Sequence, residues 1–314
     1  MKILLTFLLG EKRKAKSRMA TLFDAKNAAD VRQYLSQGEN INSLNISGMT
    51  PFMFHCGGND NGNIEVVCEL IENDCDVTLI NLTNGINYGH NGFTKACENG
   101  HTELVRNILN YQQTRNLINV PTVYYTPLGC TIMEGHTDIF DMLIEAGANI
   151  NLMAGDEYTP LMEACIRNQV DIVDRLLKLG ADVNFQGCEG MSAIFHCKST
   201  DVLNRLYNYG ANLDIRNDDG NTPLNYIIFM ECIYGPQYEV VMLLLNYCNN
   251  VNIPNNNGET PLFNAVSCDK QDLVKLLLDY GADGNIANNE GKTALDYALE
   301  LGAFGIIQLI SQKQ

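Results

Sequence analysis

The chain has 314 residues, 46% of them apolar, with a formal net charge of −16. That apolar share excludes a disordered chain. Residues 1–18 set six cations (Lys2, Lys12, Arg13, Lys14, Lys16, Arg18) against Glu11, a net of +5, so the remainder carries −21. So acidic a body repels a phosphate backbone, which argues against nucleic acid and for solubility or a basic partner.

The first apolar stretch, Ile3–Leu9, is far shorter than the roughly 20 residues of a membrane span. Its basic residues mostly follow it, the reverse of a signal peptide. Residues 1–18 therefore read as a weakly ordered, dispensable N-terminal extension, and residues 19–314 as one folded domain. The 11 cysteines form no C-x-x-C pair, and Cys68, Cys97 and Cys165 fall inside helical apolar patterns. They are expected as small buried hydrophobes in a reducing compartment: cytoplasmic, with the nucleus or a host cytosol as alternatives. Only five histidines occur, none at metal-ligand spacing to a cysteine, and no Gly-rich phosphate loop appears. No metal or cofactor is expected.

From residue 50 onward one pattern recurs. A small polar residue opens a short helix, a second helix rich in Val, Leu and Ile follows, and a Gly-Ala-Asp/Asn turn closes the unit. The openers are Thr50, Asn91, Thr126, Thr159, Ser192, Thr222, Thr260 and Thr293, spaced by 41, 35, 33, 33, 30, 38 and 33 residues. Threonine caps the helix and Pro is tolerated at its first position, as in Thr159-Pro160. Gly147, Gly180, Gly210 and Gly281 suit left-handed helix ends. The Asn217-Asp218-Asp219-Gly220 type of cluster suits a tight turn.

Thr159-Pro160-Leu161-Met162-Glu163-Ala164, followed by Val173–Leu177 and Gly180-Ala181-Asp182-Val183-Asn184, resembles an ankyrin repeat. The frame recurs at Thr222-Pro223-Leu224, Thr260-Pro261-Leu262 and Thr293-Ala294-Leu295, and the likeness spans roughly residues 20 to 310. It implies an all-α ankyrin-repeat solenoid of helix-turn-helix units with β-turn or hairpin fingers. There would be nine units: an N-terminal cap (19–47), seven repeats opening near 50, 91, 126, 159, 192, 222 and 260, and a C-terminal cap from 293. These are called repeats 1 to 8 after the N-terminal cap.

Repeat 2 departs from the pattern, opening with Asn91-Gly92-Phe93-Thr94. The family's usual histidine after the Leu is absent throughout, the positions reading Met53, Thr94, Gly129, Met162, Phe195, Asn225, Phe263 and Asp296. A stack less stable than an idealised one is expected. The spacings place insertions in Gly57–Asn61, Leu82–Gly89 and Phe229–Gln237, and a deletion near Lys198-Ser199. Drift in surface loops accounts for such changes, which cost little.

The resemblance implies a concave face of finger tips and first helices, whose variable positions select another protein. Val123, Tyr124 and Tyr125 on one finger, Met153 and Tyr158 on the next, and Met133, Ile166 and Arg167 on first helices are unusual there. Tyr, Met and Arg are hot-spot residues. They are read as one partner-binding patch, or else as residues filling an irregular joint. Arg216, Asp218, Asp219, Asn256, Asn257, Asn289 and Glu290 on the later tips are turn formers first, with a possible share in binding a basic ligand.

Asn184 resembles a site of asparaginyl hydroxylation in such repeats, or else caps its turn. The two Phe-His-Cys triplets (Phe54–Cys56, Phe195–Cys197) do not suit catalysis, because adjacent helical side chains diverge by about 100°. The expectation is a monomeric, non-enzymatic adaptor, scaffold or inhibitor. An effector acting on a host protein and a small-ligand receptor are the alternatives.

Overall fold

The computed structural model describes residues 20–58, 62–82, 89–155, 157–234 and 238–313. The N-terminal extension and parts of the three expected insertions (59–61, 83–88 and 235–237) lie outside the described residues.

Two rows of helices stack along the chain. The inner row holds α2 (Pro51–Cys56), α4 (Gly92–Glu98), α6 (Pro127–Glu134), α8 (Pro160–Ile166), a 3-10 turn (Ala193–His196), α11 (Pro223–Tyr234), α13 (Pro261–Ser267) and α15 (Ala294–Leu301). The outer row holds α1 (Ala28–Ser36), α3 (Ile64–Glu72), α5 (Thr102–Leu109), α7 (Thr137–Glu145), α9 (Val170–Lys178), α10 (Thr200–Asn208), α12 (Tyr238–Tyr247), α14 (Gln271–Asp279) and α16 (Phe304–Lys313). Each inner element packs on its inner neighbours and on the outer helix of its own unit. Between the rows runs one apolar core, in which Phe52, Phe93 and Phe140 are almost fully buried. Burying such a side chain stabilises the fold by about 1.5–3 kcal/mol.

The opener residues act as expected. Thr50, Thr126, Thr159, Thr222, Thr260 and Thr293 each accept, on the side-chain hydroxyl, the backbone N–H three residues on. The threonine caps therefore survive without the family's histidine. Asn91 does the same for Thr94 at 2.7 Å. Its departure from Thr-Pro has a steric cause: a Cβ at Gly92 would stand 2.6 Å from the Phe52 ring, so the larger residue in repeat 1 requires the smaller one here.

The irregular spacings have structural counterparts. Repeat 6 uses part of its insertion to lengthen its inner helix to 12 residues. Repeat 5, which is short, keeps only a four-residue 3-10 turn in place of an inner helix. In the N-terminal cap the first expected helix is likewise a 3-10 turn, Leu22–Asp24.

Polar side chains lock neighbouring units together. Asn184 Oδ1 accepts the Asn212 N–H at 2.7 Å while its Nδ2 donates to the Gly210 carbonyl at 3.0 Å. Asn119 makes the same two bonds to Asn149 and Gly147, and Asn252 to Asp283 and Gly281. A second set satisfies orphan carbonyls at the ends of inner helices. His101 donates to Gly58, His136 to Glu98, Gln169 to Ile132 and Lys198 to Ile166.

Candidate partner-binding face

The finger before repeat 3 closes by the Thr122 N–H donating to the Tyr125 carbonyl at 2.8 Å, which sets both tyrosines at the tip. The Val123 N–H donates to the Gly89 carbonyl of the preceding finger. On the other side Gly155 lies so close that a Cβ there would overlap the Val123 carbonyl. Val123 thus fixes three fingers against one another. Gly187 meets Glu157 in the same way one repeat later.

This stacking brings Tyr124, Tyr125 and Tyr158 around one shallow cleft, with Ala154 and Glu163 in its walls. Tyr124 is 44% exposed and Tyr125 and Tyr158 are half-buried. Of the residues singled out in the sequence, Val123 serves the finger stack. Met133, Met153 and Ile166 are half-buried and Arg167 is exposed, and none of the four lines the cleft. The Ile166 carbonyl is held by Lys198 at 2.7 Å. Asn184 has both amide atoms engaged by repeat 5, the geometry of a joint.

Two histidines extend the aromatic band beyond the sequence-based patch. The His90 ring lies 6.0 Å from Tyr125, and the His196 ring 5.5 Å from Tyr158, edge to face. His196 occupies in repeat 5 the position Glu163 holds in repeat 4, four residues after the opener, so the repeat frame could have found it. Burial, with Lys198 adding to it, pushes His196 down to about 4. Burial also lowers His90, outweighing the Glu98 carboxylate 3.3 Å away. Burial thus favours the neutral form of both rings near pH 7.

The Phe-His-Cys triplets are packing features. His55 Nε2 bonds to the Leu22 carbonyl at 2.8 Å, and Cys56 and Cys197 are buried. Burial pushes both thiols well up, as it raises Cys75 to about 12. Thiols so raised are poor nucleophiles. Among the described residues no cluster of His, Cys, Asp or Glu is arranged to hold a metal ion, and no helix is long and apolar enough to cross a membrane.

The later fingers differ. Asn217, Asn255 and Asn288 each begin a turn that ends four residues on and passes through a glycine of positive φ (Gly220, Gly258, Gly291). Their tips bond in series: the Asp218 N–H to the Glu189 carbonyl, Asn256 to Asp219 and Asn289 to Asn257, each at 2.9 Å. Between these fingers and α11, α13 and α15 opens a cleft of about 670 Å³.

Comparison with known proteins agrees with this architecture. The family model described as ankyrin repeats (3 copies) matches residues 59–154, 94–187, 161–234, 190–288 and 229–314. The chain belongs to the ankyrin repeat family. Among the solved structures that match is the ankyrin repeat domain of Bcl-3, described as a unique member of the IkappaB protein family. It is 26% identical, covering 60% of this chain and 86% of that one, with a TM-score of 0.54. No curated protein matches. Ankyrin repeats in general are protein-interaction modules and typically not enzymes.

Proposed function

We propose that this chain is a non-catalytic adaptor, scaffold or inhibitor that binds a partner protein on its finger and inner-helix face. The observation that carries this is the gathering of Tyr124, Tyr125 and Tyr158, from two fingers, around one cleft. Tyrosines combine a large contact area with few rotatable bonds, so ordering them on binding costs little. Met133, Met153, Ile166 and Arg167, outside the cleft, complete the proposed contact set. The likeness to the ankyrin domain of Bcl-3, an IkappaB-family member by its title, supports a binding role. The buried free thiols support an intracellular, reducing location, and the −21 body supports a basic partner.

The test is a pull-down from the source cell, read by mass spectrometry, with wild type and the double variant Tyr125→Ala, Tyr158→Ala. The variant is expected to lose more than about 2 kcal/mol of binding to the captured protein while keeping its circular dichroism. Unchanged capture by a folded double variant refutes the patch.

A further inference from the structure

We propose that the cleft of repeats 6 to 8 is a second site, which takes an arginine side chain offered by a partner protein. It rests on the reading that this face binds protein, and adds the chemistry of what is bound.

The floor holds an amide that opens on the cleft. Asn264, on α13, is 92% buried (8% exposed) and lines the cleft. Its side-chain amide has no hydrogen-bond partner among the described residues, although its backbone N–H and carbonyl are both bonded to protein. The residue is mostly buried while the amide itself faces the cleft, where water or a ligand reaches it. Here a donor from outside would supply a partner.

The walls select the donor. Phe229 is 49% exposed at one side, and Phe263 and Tyr297 lie with ring centroids 5.0 Å apart at the other. Aromatic faces hold a flat cation well, guanidinium better than ammonium. The rim supplies Asp219, Glu259 and Glu290 against one cation, Lys292. Lys292 is tied to Glu300 at 3.0 Å and also reaches Glu290 at 3.9 Å, so Asp219 and Glu259 carry the rim's free charge. Among the described residues Glu259 meets only neutral amides, Asn255 Nδ2 at 3.0 Å and Asn257 Nδ2 at 3.5 Å, and Asp219 has no ion pair. Arg216, on the same finger as Asp219, is bonded to the Gly220 carbonyl and to Asn256. The cleft therefore combines negative charge, aromatic walls and an amide acceptor on its floor. Guanidinium, with five donors in a plane, satisfies all three. A volume of about 670 Å³ holds that side chain with its flanking backbone.

The experiment titrates the isotopically labelled full chain with acetyl-Gly-Arg-Gly-amide, and with the Lys and Glu analogues, by NMR. The arginine peptide is expected to shift the Asn264 side-chain amide and the signals of Phe229, Glu259 and Tyr297. The lysine peptide should bind several-fold more weakly, and the glutamate peptide not at all. Glu259→Gln and Asn264→Leu should each weaken arginine binding about tenfold, with unchanged melting. Glu259→Gln, at the rim, keeps the test alive if Asn264→Leu folds poorly. No shifts, shifts scattered over the acidic surface, equal binding of all three peptides, or full affinity in a folded variant overturns the proposal. The Tyr125→Ala, Tyr158→Ala variant should bind the arginine peptide as wild type does. If wild type ignores the peptide yet captures a partner that this variant loses, the arginine site falls and the aromatic patch stands.

Discussion

In repeats 3 and 4 the fingers close around tyrosines, and Val123 holds its neighbours by close backbone approach. In repeats 6 to 8 the fingers close through an Asn at one end and a left-handed Gly near the other, and join tip to tip through backbone and Asn side-chain bonds. The first arrangement leaves aromatic surface outward and little hollow. The second leaves polar tips and a deep cleft behind them. One repeat frame thus offers two surfaces of different chemistry, and the difference lies in the fingers and in the inner-helix residues behind them. Turn chemistry and the residues on the inner helices behind it, including the 12-residue α11, together decide what the face can recognise.

The sharpest way to break the first arrangement is Gly155→Ala. The added methyl must displace the Val123 backbone, and a loss of about 3 kcal/mol is expected in urea unfolding. Gly147→Ala is the control: nothing lies within 4 Å, and only its positive φ is penalised, by about 1 kcal/mol. Equal losses in the two would show that the Val123 contact is not rigid.

The next test uses His196, which ties the aromatic band to repeat 5. Its folded pKa of about 4 lies below the ordinary 6.5, so between these values the unfolded chain binds more protons. Its contribution is complete above pH 6.5 and declines as pH falls toward 4, by up to about 3 kcal/mol. In His196→Gln this share of the acid destabilisation should vanish. Identical pH profiles for the two proteins would refute the shift.

Smallest is the effect of Asn255→Ala in the polar arrangement. It removes acceptor bonds to the N–H groups of Asn257 and Glu259, and donor bonds to Asn221 and Glu259. A loss of about 1–2 kcal/mol is expected, with the repeats 6 to 8 cleft, and not the tyrosine cleft, losing order in amide exchange. Protection changed equally at both ends would mean that the two regions do not behave separately.

The repeat frame was legible in the sequence because its signals are local. A threonine cap, a Pro at the first helical turn and a Gly at the end each act within a few residues. The joint at Asn119 was not, because Gln112–Asn119 forms a 3-10 segment where repeats 3, 4, 5 and 7 have Gly-Ala-Asn or Gly-Ala-Asp. Tyr124, Tyr125 and Tyr158 were legible as residues out of place in a finger. His90 and His196 were missed because their roles depend on ring contacts between repeats. The cleft at Asn264 was missed for a related reason. A hollow depends on how far a finger stands from a helix, and no spacing along the chain expresses that distance.

The asparagine joints have a consequence for ionic strength. Asn119, Asn184 and Asn252 link successive units through neutral amides, as Asn256 and Asn289 do at the fingers. Dissolved ions screen charges over about 10 Å at 0.1 M but leave such bonds nearly untouched. Between units, the pairs open to screening, such as Arg175–Asp141 and Lys313–Asp279, are half-exposed on the outer row, where ion pairs contribute little. The repulsion within the acidic body is carried by charge and most of the cohesion between units is not. Added salt therefore relieves the first without loosening the second.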